Sequence, residues 1–329
     1  MKYCENDNIQ LNNIKDENNE IIVELEIKIT NENIEKNINI LCDKDTLIEN
    51  NKKDENFYAT NNLTSPKEFN YFNKENTKLY LNNKEIEFNY KLKFNEIGIY
   101  KIKIKSNIKL ISLSSMFYNC KYINNIKFIK INTNNVTNMS YMFSNCENLS
   151  ELDLSLFKTN NVTDMSWIFN ECEKLSKLDI KSFNTNNVIN MSYMFCSCYD
   201  LSELNLSTFN TNNVTNMSHM FSYCDNLSKI DLTSFNTNNV IDMNSMFLSC
   251  YKLSKLDLSS FNTNNVIDMN LMFSNCEILS DLELSSFNTN NVINMCDMFF
   301  EITNLKRVLV NKLNITKLKD EIDLNKLKI

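Results

Sequence analysis

Histidine, the side chain most often used for acid–base catalysis near neutral pH, occurs once, as His219. A Ser-His or Cys-His nucleophile therefore has one candidate base, and a zinc site of the H-E-x-x-H type is impossible. The one glycine, Gly98, also excludes glycine-rich phosphate loops and the G-x-S-x-G elbow. These counts argue against a hydrolase or a metalloenzyme, and we expect no catalytic residue, no cofactor and no metal.

Cysteine is the other reactive side chain, and seven of its 11 copies recur every 26 residues. An apolar neighbourhood and an odd number favour reduced thiols that pack as small hydrophobic side chains, and argue against disulfides. A metal site is even less expected than disulfides, because the sequence has no C-x-x-C pair. The seven are Cys120, Cys146, Cys172, Cys198, Cys224, Cys250 and Cys276.

Acidic side chains recur at one position of each repeat and form what we call the acidic strip. Its members are Asp153, Asp179, Asn205, Asp231, Asp257 and Glu283, with a summed charge of −5. The column two residues earlier, Glu151, Lys177, Glu203, Lys229, Lys255 and Asp281, sums to zero. Carboxylates about 5 Å apart repel each other and favour a basic partner. Two alternatives are neutralisation by the flanking lysines, and calcium, which prefers oxygens clustered around a turn.

Four ring side chains occupy another repeat position, directly before the Met-Phe or Ile-Phe dipeptide. We call Tyr141, Trp167, Tyr193 and His219 the ring row. If exposed, these residues are typical of an interaction hot spot, where Trp and Tyr dominate. Alternatively, the rings lie over the edge of the core and cover it. In neither interpretation does His219 act as a base.

These candidate residues all belong to a 26-residue unit that repeats eight times from near Met116. The unit is marked by a phenylalanine after Met, or once after Ile: Phe117, Phe143, Phe169, Phe195, Phe221, Phe247, Phe273 and Phe299. A fixed period of this length indicates stacked supersecondary units, each of which buries its apolar face against its neighbours.

Two periodicities within one unit predict its elements. Leu201, Leu204 and Leu206 form an L-x-x-L-x-L segment whose alternation predicts a short strand. Apolar residues from Met191 to Leu201 are spaced by three and four, which predicts a short helix. Residues 210–213, Asn-Thr-Asn-Asn, predict a polar bend, because asparagine tolerates left-handed backbone geometry. Parallel strands of successive coils should then form one continuous sheet.

The chain divides into four parts by composition. Residues 1–19 are polar and predict a flexible leader, and residues 20–108 predict a small β-sandwich-like module that packs as a cap. Residues 109–313 hold about eight repeat coils, with a last strand at 307–310. Residues 314–329 mix leucine and lysine and predict a C-terminal cap. The predicted fold class is thus an α+β repeat solenoid, with one strand and one short helix per coil, behind a small all-β module.

The repeat resembles the BspA-like leucine-rich repeats, and more narrowly the DUF285 family. The likeness covers about residues 110–313, and it implies a leucine-rich-repeat solenoid and, from characterised members, adhesion to host proteins or other cells. The residues that carry it are Leu201, Leu204, Asn205, Leu206, Ser207, Phe209, Asn210, Thr211, Val214, Thr215, Met217, Met220, Phe221 and Cys224.

The function expected from these features is non-catalytic protein–protein recognition through the solenoid surface. The partner is a protein, and it is basic if it contacts the acidic strip. The net charge of −7 argues against nucleic acid, and the absence of any run of about 20 apolar residues argues against a membrane span. An adhesin-like surface protein and an intracellular scaffold both remain open, since no signal peptide or anchor is recognisable and location is left undetermined.

Overall fold

The computed structural model describes residues 19–47 and 72–310, together with the backbone of a short strand at 327–328. The described part is mostly β, apart from one helical turn at 44–47. Its strands are β1 (Glu20–Ile29), β2 (Asn37–Asn39), β3 (Thr77–Leu81), β4 (Lys84–Ile86), β5 (Lys91–Lys93), β6 (Gly98–Asn107), β7 (Ile123–Lys130), β8 (Glu151–Asp153), β9 (Lys177–Asp179), β10 (Asp281–Leu284), β11 (Arg307–Val310) and β12 (Leu327–Lys328).

The N-terminal strands belong to a sheet that continues into the repeats. Seven strands lie in the order β4-β3-β6-β1-β7-β8-β9, and β2 pairs with β5 in a separate two-stranded sheet. Strand β1 is antiparallel to both β6 and β7, and its alternate apolar residues, such as Val23 and Leu25, are buried. The main sheet of the N-terminal module is therefore continuous with the strands of the first repeat units.

Successive 26-residue units stack on one another through parallel backbone hydrogen bonds. Isolated parallel bridges join each unit to the next at one equivalent position: Ser112, Asn138, Asp164, Asn190, Asn216, Asp242, Asp268 and Asn294. A second ladder runs through the Met-Phe segments, where the amides of Tyr193, Phe195 and Ser197 donate to carbonyls of the following unit at 2.8–3.0 Å. The repeat predicted from sequence is thus a repeat of structure.

The predicted short helix in each unit is wrong. Residues 191–198 form successive tight turns, in which Met194 N donates to Met191 O and Cys196 N donates to Tyr193 O. Tyr193 and Ser197 have positive φ angles of 57° and 58°, which no α-helix contains. Because alternate amides bond to the next unit, they cannot also bond four residues back along the chain. Equivalent residues of the other units share this geometry.

The predicted strand forms in some units and not in others. Strands β8, β9, β10 and β11 occupy the expected position, but residues 203–206, 229–232 and 255–258 are not in assigned strands. Strands β10 and β11 instead belong, with β12, to a separate three-stranded sheet. The expectation of one continuous sheet is therefore wrong, although Leu206, Leu232 and Leu258 remain buried at the predicted inward positions. The units are joined mainly by the ladders described above.

The core consists of repeated columns, as the sequence predicts. The Met-Phe column is buried, and neighbouring rings from Phe143 to Phe273 stack with centroids 5.6–5.9 Å apart. A second phenylalanine column, from Phe157 to Phe287, is also buried. The thiols of six cysteines, from Cys146 to Cys276, donate to a phenylalanine carbonyl of the preceding unit at 3.1–3.2 Å.

Some predictions concern residues outside the described part. The leader lies there apart from residue 19, and so does the C-terminal cap apart from the backbone of β12. Across residues 19–47 and 72–310, no helix combines the length and apolar character needed to cross a bilayer.

Candidate protein-binding surface

The acidic strip lies at the surface, and its side chains order the turn that follows each strand position. Asp153, Asp231 and Asp257 are exposed, and each Oδ1 accepts a hydrogen bond from the backbone N–H two residues later, at 2.8–3.0 Å. Asp179, Asn205 and Glu283 make the equivalent bond. The recurrence of an acid or amide here therefore has a structural cause, because these side chains close Asx-type turns.

These turn bonds also favour the ionised form of three members of the strip. Hydrogen bonds from the backbone and side chain of Ser155 lower the pKa of Asp153, and bonds from Thr233 and Ser259 lower the pKa of Asp231 and Asp257. A carboxylate that accepts such bonds is favoured over its neutral form. The strip is thus an ordered row of negative charge at neutral pH.

Two ion pairs lie within the neighbouring column, one near each end of the repeats. Lys177 Nζ lies 2.5 Å from Glu151 Oε1, and Arg307 Nε lies 2.9 Å from Asp281 Oδ1. Both pairs join residues of adjacent units within that column, and they are exposed, so each contributes little to stability. The alternative in which flanking lysines neutralise the acidic strip gains no support from these pairs.

Two open grooves lie along the strip. One, of about 670 Å³, runs over β7, β8 and β9, and Asp153, Asp179, Asn205 and the side chain of Leu156 line it. The other, of about 380 Å³, is lined by Asp257 and Glu283 together with the Arg307–Asp281 pair. Members of the strip therefore contribute to concave surface near both ends of the repeats.

The ring row forms a continuous stack. Ring centroids are 5.4 Å apart for Tyr141 and Trp167, 3.7 Å for Trp167 and Tyr193, and 4.2 Å for Tyr193 and His219, with interplanar angles of 10–13°. The side chains belong to four successive units, so the sequence period of 26 brings them together. All four residues have positive φ, between 55° and 59°.

Burial in the ring row differs from what an exposed hot spot requires. Tyr141 and Trp167 are only 3% and 5% exposed, and they form a cluster with Cys42 and Tyr118. Tyr193 and His219 are partly buried. The first two rings therefore pack beneath the N-terminal segment, which agrees with the alternative in which the rings cover the core.

His219 is held as a neutral ring. Its Nδ1 lies 3.2 Å from Ser222 Oγ, and Ser222 donates its hydroxyl proton to the carbonyl of Ser245. Nδ1 must then be the donor in the first bond, because the serine has one proton. Burial lowers the pKa of His219 to about 4, against a smaller opposing effect of Asp268. The histidine accordingly serves the packing of this edge.

The cysteine column carries no reactive thiolate. All ten described cysteines are free, and only Cys296 is exposed. Burial raises the pKa of each column thiol, from Cys120 to Cys276, which suppresses nucleophilic and metal-binding forms. Within residues 19–47 and 72–310, no three His, Cys, Asp or Glu side chains are grouped so that they could hold a metal ion.

A family model agrees with this repeat. The model described as "Mycoplasma protein of unknown function, DUF285" matches residues 111–229 and 196–312, which is more than half of the chain. The chain belongs to the DUF285 family. Neither curated proteins nor solved structures gave a significant match.

The turn-closing role of the acidic strip was missed at the level of sequence. Its signal is the recurring Asp-x-Ser or Asp-x-Thr pattern, as in Asp153-Leu154-Ser155 and Asp231-Leu232-Thr233. An acid two residues before a serine or threonine is typical of a turn that the acid's own side chain closes. The residues that carry the negative charge of the acidic strip are therefore the same residues that close the turns.

Proposed function

We propose that this DUF285 protein binds a basic protein partner, without catalysis, through the strand side of its repeats. The observation that carries the proposal is the acidic strip, an exposed row of carboxylates ordered by turn hydrogen bonds. Ordered charges lose little conformational freedom when a partner binds, and a summed charge of −5 attracts a basic surface.

The finer architecture that we propose is a leucine-rich-repeat solenoid whose units contain tight turns where a helix was expected. The support is the pair of inter-unit ladders, together with the inward leucines of the L-x-x-L-x-L segment. In such a solenoid, each unit contributes one row of outward side chains to a long surface. The two grooves along the acidic strip are concave parts of that surface, and the strip's carboxylates line both.

Two settings fit this recognition function. An adhesin-like role at a cell surface follows from the likeness to BspA-like repeats, and an intracellular interaction scaffold is the alternative. Protease digestion of intact cells that express the tagged full chain separates them. External cleavage, with a cytosolic control spared, supports the surface role, and protection until lysis supports the scaffold.

The binding proposal is tested by removing charge without removing the turns. The variant Asp153→Asn/Asp231→Asn/Asp257→Asn keeps an amide oxygen at each position, as Asn205 does naturally with Ser207 N at 3.1 Å. The control, Glu32→Gln/Glu87→Gln/Glu277→Gln, removes three charges at exposed positions elsewhere. Proteins that cross-link in cells to the full-length unchanged chain are identified and then quantified for both variants.

Recovery of the main cross-linked partner should fall roughly tenfold with the asparagine variant and stay unchanged with the control, because each lost charge contact contributes about 0.2–1 kcal/mol. Equal recovery by both variants would exclude the acidic strip as the contact surface. Absence of any saturable partner would exclude the recognition function itself.

A further inference from the structure

A second face of the repeats lacks charge almost completely. Seven six-residue segments with the pattern Asn-Thr-Asn-Asn-Val-Ile/Thr hold one charged residue, Lys158, although 23% of the chain is charged. The segments are 132–137, 158–163, 184–189, 210–215, 236–241, 262–267 and 288–293. In each, the threonine and valine are buried while the third and fourth residues, both asparagine, are exposed. Depletion of charge is the compositional sign of an interface core.

The last position of each segment forms an apolar column at the surface, which we call the Ile/Thr column. Ile189, Ile241, Ile267 and Ile293 are 49%, 44%, 42% and 86% exposed. The intervening threonines, Thr137, Thr163 and Thr215, are oriented by their hydroxyls, which donate at 3.3–3.4 Å to the carbonyl of the preceding member. Their hydroxyls are therefore used within the chain, and Ile111 begins the column at 51% exposure.

This face is ordered before any partner arrives. The amides of Ile241, Ile267 and Ile293 each donate at 2.8 Å to the carbonyl of the preceding member. Beside them, asparagine side chains bond between units, as with Asn239 Nδ2 to Asn212 O and Asn265 Nδ2 to Asn238 O, both at 2.7 Å. Side chains branched at Cβ have few rotamers to lose. Binding here therefore costs little conformational entropy.

We propose that this face is where two copies of the chain associate, with the Ile/Thr columns antiparallel across a two-fold axis near Ile267. A partner that contacts successive members must present groups at the same spacing of about 4.8 Å, and a second column does so by construction. Two copies of a chain with net charge −7 repel each other elsewhere, whereas the seven segments of this face together hold one charged residue. A two-fold contact also needs a patch that complements itself, which an uncharged ridge of isoleucine and threonine satisfies.

The axis is placed near Ile267 because the isoleucines are consecutive there. Ile241, Ile267 and Ile293 occupy three neighbouring units, whereas threonine interrupts the column towards the N-terminus. In the antiparallel arrangement, Ile241 of one copy lies opposite Ile293 of the other. The proposal concerns a different segment of the unit from the acidic strip and is independent of the basic partner.

The first test is the mass of the full chain in sedimentation equilibrium up to about 100 μM. The expected mass is twice 38.6 kDa for the unchanged chain, and 38.6 kDa for Ile267→Lys. The matched control is Ile278→Lys, at a residue of equal exposure, 43%, outside the Ile/Thr column. It should remain a dimer, and circular dichroism checks that both variants are folded. A monomeric unchanged chain, or dimers in both variants, would overturn the proposal.

The second test locates the axis. In a Cys4→Ser/Cys296→Ser background, Ile267→Cys places two equivalent thiols across the axis, and mild oxidation should link the copies covalently. Ile278→Cys in the same background should remain unlinked. Equal linkage of the two variants, or none with Ile267→Cys while the chain is dimeric, would exclude this geometry. Occupation of the column in cells by a different protein, with a monomeric purified chain, would likewise exclude a second copy.

Discussion

At the scale of single residues, buried threonine hydroxyls form hydrogen bonds with the backbone of the neighbouring unit. Thr237 Oγ1 donates to Asn262 O at 2.9 Å and accepts from Asn262 N at 2.8 Å, and it is completely buried. Equivalent threonines from Thr133 to Thr263 make the same two bonds to the following unit. The hydroxyl thus satisfies one backbone donor and one acceptor that would otherwise be buried alone.

We predict that Thr237→Val lowers the free energy of unfolding by roughly 2–4 kcal/mol, because each buried backbone group left without a partner costs about 1–3 kcal/mol. The loss is measured by urea unfolding monitored by circular dichroism. Thr237→Ser retains the hydroxyl and should lose far less. Equal losses for the two variants would show that the hydroxyl bonds contribute nothing.

His219 makes stability depend on pH in a defined direction. Its pKa is lowered by burial to about 4 in the folded chain, against 6.5 when unfolded. Between these values the unfolded chain binds more protons, so stability increases as pH rises from about 4 to 6.5 and is lost on acidification. Going from pH 7 to pH 5 should cost on the order of 2 kcal/mol from this residue.

The variant His219→Phe keeps a ring in the stack and removes the titration. Thermal midpoints at pH 5 and pH 7 should differ less for this variant than for the unchanged chain. The comparison is made between the two chains at each pH, so the titration of other groups, such as Asp164 and Asp242, cancels. An identical pH dependence in the two chains would contradict the burial of His219.

At the scale of elements, the tight turns of the Met-Phe segment require left-handed backbone from residues that rarely adopt it. The chain has one glycine, yet 19 described residues other than glycine have positive φ. Most lie in two columns of this segment, one through Ser115, Tyr141 and Ser245, the other through Asn119, Tyr223 and Glu301. The Asn-Thr-Asn-Asn bend, where left-handed asparagine was predicted, has none. Its asparagines instead bond between units.

We predict opposite effects for two substitutions of Tyr223, which is 39% exposed with a φ of 57°. Tyr223→Val should lower the free energy of unfolding by about 1–2 kcal/mol, because a β-branched side chain is strained at positive φ. Tyr223→Asn should leave stability unchanged or raise it, since asparagine already occupies this column at Asn119, Asn145 and Asn275. The thermal midpoints of both variants are compared with that of the unchanged chain. A valine variant more stable than the unchanged chain would contradict the turn geometry.

At the scale of the molecule, each unit contacts its two neighbours through one set of repeated interactions. Stability in such an array is roughly a sum over units and over the interfaces between them. Continuity of the columns, from Phe117 to Phe299 and from Cys120 to Cys276, therefore depends on an unbroken 26-residue register.

We predict that deletion of residues 204–229, one full unit, gives a folded protein with a somewhat lower thermal midpoint. Deletion of residues 204–216, half a unit, should abolish cooperative unfolding. It shifts the following units by half a period, so that residues of the buried columns stack on residues that are exposed in the preceding unit. Circular dichroism tests whether each deletion variant is folded, and differential scanning calorimetry measures its thermal midpoint and the cooperativity of its unfolding. A cooperative transition in the half-unit deletion would show that register is unimportant.

The sequence by itself determined the repeat, its period, the buried columns and the β character of the N-terminal module. These are local properties, because alternation and periodicity record which side chains avoid water. Strand β11 lies at 307–310, where the sequence predicts the last strand, and β1 alternates buried apolar residues with more exposed polar ones.

Only the tertiary structure decided between helix and tight turns in the Met-Phe segment, and between exposed and buried rings in the ring row. Apolar residues spaced by three and four suit both an α-helix and consecutive turns, and the two differ in which carbonyl accepts each amide proton. Phe195 N donates to Met220 O of the next unit, a choice that exists only after the units have stacked. Likewise, Trp167 is buried because Cys42 and Tyr118 pack with it, and both lie far from it in sequence.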